Sequence, residues 1–252
     1  MQDLAPRRAA TRRAWLTFLL LLSSTVLLAL TFPQRTDVLT ESTSQAATST
    51  FRMLRNRLLG PPKVGIQIGH LDAQLHPEEL ASLRASTGGY GGGQYEVEVN
   101  EAVARALAAR LRERGLIVEL LPATIPPNYR ADLVVSLHAD SSPAAHRRGY
   151  KSAVFRPRRN RWDARLKALI DDANLGGSTL PDDDRNVTGD MLEYYAFNPA
   201  YRHSLARRTP AVIVEMGYLS HPLDMRLLQR PERVAGLLEE GIVDFLEQRG
   251  RL

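Results

Sequence analysis

The sequence predicts an α/β fold with a mostly parallel open sheet, helices on both of its faces, and an N-terminal transmembrane helix ahead of it. Three observations predict it. Short apolar runs alternate with stretches that are apolar at helical spacing. Three of those runs stop abruptly at a polar residue: His70, His138 and Glu215. Ahead of them lie nineteen uncharged residues, 14–32, next to two arginine pairs.

The N-terminal stretch comes first. A run of nineteen apolar residues just spans a hydrocarbon core of about 30 Å as a helix. It is longer than the roughly 7–15 residues of a cleaved signal core, and Leu28-Ala29-Leu30 is a poor small-residue cleavage site. An uncleaved signal anchor is therefore expected ahead of a cleaved signal peptide, which would leave the rest of the chain secreted. Thr11-Arg12-Arg13-Ala14-Trp15-Leu16 also looks like a twin-arginine export signal, although the Leu-rich core favours the general route. Arg7, Arg8, Arg12 and Arg13 stay cytoplasmic under the positive-inside rule, so the rest of the chain is expected outside the cell membrane. Residues 1–35 thus read as basic segment plus anchor, 36–62 as a Ser/Thr-rich flexible linker, and 63–250 as the folded domain. Within the linker, residues 51–59 fit a short basic helix against membrane or domain.

In the domain, residues 64–68 read as a first strand ending at Gly69-His70. Residues 71–95 are irregular and carry a glycine-rich stretch at 88–93, expected as a mobile loop beside the cleft. It lacks the GK[ST] ending of a phosphate cradle. Val99, Val103, Ala106 and Leu107 mark a helix that Gly115 stops. Residues 116–121 and 133–137 follow as strands, the latter ending at His138, and 151–155 as another. Trp162, Leu166, Leu169 and Ile170 recur at helical spacing. Residues 211–214 form a strand ending at Glu215. Val234, Leu237, Leu238, Gly241, Ile242, Phe245 and Leu246 make one stripe on a final helix.

Cysteine is absent, which excludes disulfides, thiolate zinc sites and a cysteine nucleophile, so any metal must be held by His, Asp or Glu. In open α/β sheets ligands bind beyond the carboxyl ends of strands, where His70, His138 and Glu215 can converge. Glu96 begins the first helix, where a carboxylate is favoured and can point back at the sheet edge. Two imidazoles and a carboxylate make the His₂Glu set of a catalytic zinc site.

Four blocks sharpen this: Ile66-Gln67-Ile68-Gly69-His70; Glu96-Val97-Glu98-Val99-Asn100; Val135-Ser136-Leu137-His138-Ala139-Asp140; and Val214-Glu215-Met216-Gly217-Tyr218-Leu219-Ser220-His221. In this order the chain resembles zinc-dependent N-acetylmuramoyl-L-alanine amidases of the type 3 class, bacterial peptidoglycan hydrolases, over about residues 63–249. The resemblance implies that His70, Glu96 and His138 hold Zn²⁺ and that Glu215 is the catalytic glutamate. It implies peptidoglycan as substrate, cut at the amide between N-acetylmuramic acid and the L-alanine of the stem peptide. The alternatives are a non-catalytic wall-binding module with the same fold, or a zinc hydrolase acting on another peptide amide. Glu96 is preferred to Glu98 because Asn100 follows four residues later, and residues two apart on a helix face nearly opposite sides. Leu71-Asp72, Asp140, Tyr218 and His221 depart from the family pattern without removing a ligand, and leave the muropeptide preference open.

The other polar residues have plainer readings. His76, His146 and His203 read as surface residues, and His221 as a weak candidate for supporting the site or touching substrate. The cluster Arg147, Arg148, Arg156, Arg158, Arg159 and Arg161 reads as a solvated face, and Asp182-Asp183-Asp184 as a solvated loop. Tyr194, Tyr195 and Phe197 read as buried aromatics ahead of a glycan groove. The chain's net charge is +5, and residues 1–35 carry five arginines against Asp3, or +4. Only +1 remains for the rest, so no nucleic-acid partner is expected.

Overall fold

The computed structural model describes residues 60–144, 146–157 and 160–252. The predicted anchor and residues 36–59 of the linker lie outside the described residues. Among the described residues, no helix is long and apolar enough to cross a membrane.

Five strands form the central sheet: β1 (Lys63–Ile68), β4 (Ile117–Leu121), β5 (Leu133–Asp140), β6 (Lys151–Ala153) and β7 (Ala211–Tyr218). Two-residue strands β2 (Tyr90–Gly91) and β3 (Gln94–Tyr95) pair separately as a small hairpin. The sheet order is β4-β1-β5-β7-β6; every pairing is parallel except β6 against β7. The long helices are α1 (Glu96–Glu113), α2 (Asp163–Gly177) and α5 (Pro231–Gln248), with short α3 (Gly189–Leu192) and α4 (Pro222–Leu228) between them. The mostly parallel α/β sheet flanked by helices is thus present, and the strands begin within a residue of their expected positions.

The two faces are covered unequally. Val64, Ile66 and Ile68, with Leu133, Val135 and Leu137 and with Val212 and Val214, pack into one cluster with residues of all three long helices. Successive strand side chains point to opposite faces, so the residues between these face the other way. There Val134, Ala211 and Ile213 meet Tyr129, Met191, Tyr194 and Phe197. That side is covered by α3, a single 3₁₀ turn at Tyr195–Phe197 and loops. Helices on both faces therefore reduces to long helices on one face and short turns on the other.

The helix face has the stronger apolar pattern. The predicted α5 stripe from Val234 to Leu246 is buried throughout. Its Gly241 lets α5 approach α2 closely: a Cβ there would stand 2.7 Å from Ile170 Cα. Each fully buried aliphatic side chain in such a layer contributes about 1.5–3 kcal/mol relative to exposure.

Candidate active site

The opposite face becomes polar toward the carboxyl ends of the strands. Gln67, Ser136, His138 and Glu215 alternate with the apolar residues of the helix face. Register places His138 beside Glu215 across β5–β7, and Lys151 beside Glu215 across β6–β7. Beyond that rung β7 has one extra residue, since His138 and Asp140 pair with Glu215 and Tyr218. Gly217, at φ 144°, lies in this bulge.

His70, Glu96 and His138 come together here. Their donor atoms all lie within 4.8 Å of one another. Glu96 Oε1 is 3.2 Å from His70 Nε2 and 3.0 Å from His138 Nδ1. The other nitrogen of each ring is occupied: His70 Nδ1 is 2.8 Å from the Ser86 carbonyl, and His138 Nε2 is 3.1 Å from the Tyr194 hydroxyl. A carbonyl only accepts, so His70 carries its proton on Nδ1 and leaves the Nε2 lone pair to the centre. Glu96 is held equally firmly. Its Oε2 accepts from Gly89 N at 2.9 Å, and its Oε1 from Ala139 N and Asn100 Nδ2, both at 3.3 Å. Glu98 is exposed and caps the helix instead, accepting from Tyr95 N at 2.9 Å. This N₂O donor set, with Glu96 and His138 buried, His70 half-buried and all three oriented by second hydrogen bonds, fits a borderline-soft ion such as Zn²⁺.

Local backbone makes the convergence possible. A Cβ on Gly69 would stand 2.5 Å from His138 Cε1, so only glycine lets β1 pass that ring. His70 itself has φ 65° and Asp72 φ 58°, left-handed positions that residues other than glycine rarely adopt. Gly88, at φ 83°, packs against Glu96 and His70. The glycine-rich stretch read as a loop beside the cleft is thus a wall of the centre.

Charge in the centre is unevenly balanced. Burial opposes ionisation of Glu96, but hydrogen bonds from His138 and His70 outweigh it and hold the carboxyl well below its ordinary value. Burial also pulls His70 down, and the Glu96 carboxylate more than compensates, leaving the imidazole raised. Glu215 goes the other way. Burial, then the Glu96 and Asp140 carboxylates, raise it well above the ordinary value against the opposing pull of Lys151. Its Oε2 is buried with no hydrogen-bond partner.

The centre opens into a cavity of about 460 Å³, lined among others by His70, His138, Glu215, Lys151, Tyr194 and Glu79. Two residues of this wall escape a sequence reading. Lys151 lies in what reads as an ordinary strand, yet it is buried, with Nζ 2.5 Å from Asp140 Oδ2 and 3.2 Å from the Tyr218 hydroxyl. Its only signal is a lysine inside an apolar run. Tyr194 fits the expectation of a buried aromatic, and its role as partner of His138 has no local signal. Tyr195 also lines the cavity, and Phe197 is core.

Two other expectations change. His76 is not on the surface: it is buried, 2.6 Å from Thr124 Oγ1 and edge-on to Tyr195 at 5.3 Å, and lines the cavity. Asp183 is not solvated but buried against the Tyr218 hydroxyl at 2.7 Å, while its neighbours Asp182 and Asp184 are exposed. His146 is exposed, and His203 bonds Glu79 at 2.6 Å on the cavity rim. His221 caps α4, accepting from Leu223 N at 3.3 Å, and is not among the cavity-lining residues. Of the arginine cluster, Arg147, Arg156 and Arg161 are exposed and Arg148 reaches Asp224 at 3.3 Å; Arg158 and Arg159 lie outside the described residues.

The sequence profile of the family described as N-acetylmuramoyl-L-alanine amidase matches residues 64–247. Solved structures with the same fold include the amidase AmiC2 of Nostoc punctiforme, 20% identical, covering 75% of this chain and 98% of its own, with TM-score 0.52. Ami1 of Mycobacterium smegmatis is 18% identical over 75% of this chain and 98% of its own, at TM-score 0.54. An amidase of Clostridium difficile 630 gives 16%, with the same coverages and TM-score. A search of curated protein sequences returns no match.

Proposed function

The chain belongs to the N-acetylmuramoyl-L-alanine amidase family, and from that premise we propose that it is a zinc-dependent peptidoglycan hydrolase. The bond cut is the amide joining N-acetylmuramic acid to L-alanine of the stem peptide. One observation carries the reading: a His₂Glu donor set, with Glu96 and His138 buried and His70 half-buried, opens into a cavity that the half-buried Glu215 also lines.

His70 Nε2, His138 Nδ1 and a Glu96 oxygen would hold the ion. Its contribution when bound is Lewis acidity, which brings the pKa of water toward about 7 and polarises an amide carbonyl. The chain's own residues do the rest. The Glu215 carboxylate takes a proton from the attacking water and returns it to the departing amine nitrogen of L-alanine. Such a step contributes about 10²–10⁴-fold in rate. Its raised pKa suits it to hold that proton between the two transfers. Ser86 and Tyr194 fix the two imidazoles, and Gly89, Ala139 and Asn100 fix the carboxylate.

Residues 63–250 are then the catalytic domain. Residues 1–35 anchor it in the cell membrane with the domain outside, tethered by 36–62. Digestion of cell-wall sacculi by the purified full chain, followed by mass spectrometry, tests the activity. Release of intact stem peptides that stops on chelation and returns with Zn²⁺ supports the reading. Release of shortened peptides only would establish another amide as the target.

A further inference from the structure

The domain has a second surface, at the end opposite the active site. The parallel strands begin at Lys63, Ile117, Leu133 and Ala211, and the cavity lies beyond their other ends. Around those beginnings stand Arg130, Arg156, Arg161, Arg207 and Arg208, all exposed and, among the described residues, none in an ion pair. Short contacts tie their segments together. Ala206 N donates to Tyr129 O at 2.9 Å, Asn160 Nδ2 to Arg207 O at 3.4 Å, and Ala211 N to Asp163 Oδ1 at 3.0 Å.

Most of the acidic residues nearby are engaged or buried, and Glu193, next to the Leu192 carbonyl that accepts from Arg156 N at 2.8 Å, is exposed. Asp132 takes Arg251 at 2.7 Å, Glu119 takes Lys63 at 2.8 Å, and Asp163 is buried. Residues 36–252 carry only +1 in total, so this end is basic because the charge is segregated, not because the domain is basic.

The chain also enters the domain here. Gly60 O accepts from Arg251 Nη2 at 3.5 Å, and Pro62 O from Ile117 N at 2.9 Å. The sequence immediately before it, Phe51-Arg52-Met53-Leu54-Arg55-Asn56-Arg57, adds three more arginines and no acid. An anionic surface complements both the basic end of the domain and the arginines that precede it in the sequence.

We infer that this arginine-rich end is a membrane-facing surface that binds anionic phospholipid headgroups and turns the catalytic cavity away from the bilayer. Each basic residue close to such a surface strengthens binding by about fivefold. Guanidinium groups suit phosphate because they pair with it in a bidentate fork. The inference rests on the anchor reading of residues 1–35 and is independent of the zinc chemistry.

Trp162 reports on it. The Arg161 and Arg249 guanidiniums lie 5.3 and 5.4 Å from its ring, and the chain's only other tryptophan is Trp15. The full chain carrying Trp15→Phe is reconstituted into vesicles of phosphatidylcholine, or of phosphatidylcholine and phosphatidylglycerol in equal parts, each with a dansyl-headgroup lipid. Energy transfer from Trp162 should be at least about twofold higher with phosphatidylglycerol, and the excess should vanish near 0.5 M salt, where screening is short-ranged. Arg130→Glu, Arg161→Glu, Arg207→Glu and Arg208→Glu combined should abolish the excess with an unchanged circular dichroism spectrum. Flotation with both vesicles but equal transfer overturns the basic surface and leaves the anchor standing. Flotation with neither overturns both.

Discussion

The two faces of the sheet are built from the same strands and behave as different materials. On the helix face, Val64, Ile66, Leu133, Val135, Leu137, Val212 and Val214 meet three long helices in a dry layer. On the other face, the same strands present Gln67, Ser136, His138 and Glu215 under short turns, and Lys151 joins them from β6. The first face is close-packed; the second leaves room for a cavity and for a half-buried carboxylate, one oxygen of which has no hydrogen-bond partner. Stability is thus concentrated on one side and chemistry on the other, one residue apart along each strand.

The largest expected effect is on the polar face. Glu215→Gln should lower turnover on sacculi by about 10²–10⁴-fold while bound zinc stays near that of the parent, and its melting temperature should not fall. Desolvation of the Glu215 carboxylate is only partly offset by Lys151, and the neutral amide does not carry that cost. His138→Ala should lose both metal and activity, measured by elemental analysis and digestion. Full zinc content in His138→Ala would break the assignment of the donor set.

The helix face should show the reverse profile. Leu238→Ala is expected to destabilise the fold by about 2–5 kcal/mol in denaturant unfolding, with turnover per folded molecule nearly unchanged. A turnover loss matching that of Glu215→Gln would erase the division between the faces.

A smaller effect is expected from Ser136→Ala. Ser136 Oγ donates to Gln67 Oε1, and both residues are fully buried. Removing the donor leaves an unsatisfied acceptor and should cost about 1–3 kcal/mol. Because Gln67 also reaches Ala123 O at 2.7 Å, the loss tests whether the polar ladder beneath the site is structural.

The smallest effect lies on the cavity rim, where Glu79 accepts from the backbone N–H groups of Arg202 and His203, both at 2.9 Å. Those bonds, then the His203 ring, lower its pKa from 4.5 to about 2. A depressed carboxyl stabilises the fold fully above its unfolded pKa, and the contribution is lost as pH falls through 2. Glu79→Gln should therefore be less stable than the parent near pH 6 and converge with it near pH 2, by thermal unfolding at each pH. A gap that persists at pH 2 would show that the rim bond works through packing and not charge.

Much of this was legible in the chain, for local reasons. In β1, β5 and β7 an apolar run meets a polar residue, and that is what marks His70, His138 and Glu215, although β5 and β7 run on past theirs to Asp140 and Tyr218. Helix α5 announces itself by an unbroken stripe. Glu96 over Glu98 follows from two residues' separation on a helix. The misreadings have one cause as well. His76, Asp183 and Lys151 are polar residues in unremarkable surroundings whose burial depends on partners 48, 35 and 67 residues away. No local pattern encodes such a partner.

What the sequence by itself determined is the set of elements and the residues capable of the chemistry, because period-two and period-3.6 patterns and the absence of cysteine are properties of neighbours along the chain. The tertiary structure decided which of those residues meet. Strand order β4-β1-β5-β7-β6 brings β1 and β7 to either side of β5, and register sets His138 beside Glu215. It also decided that the long helices share one face, which left the other thin enough for a cavity. These are long-range pairings, selected by the packing of the whole domain and by nothing in any one segment.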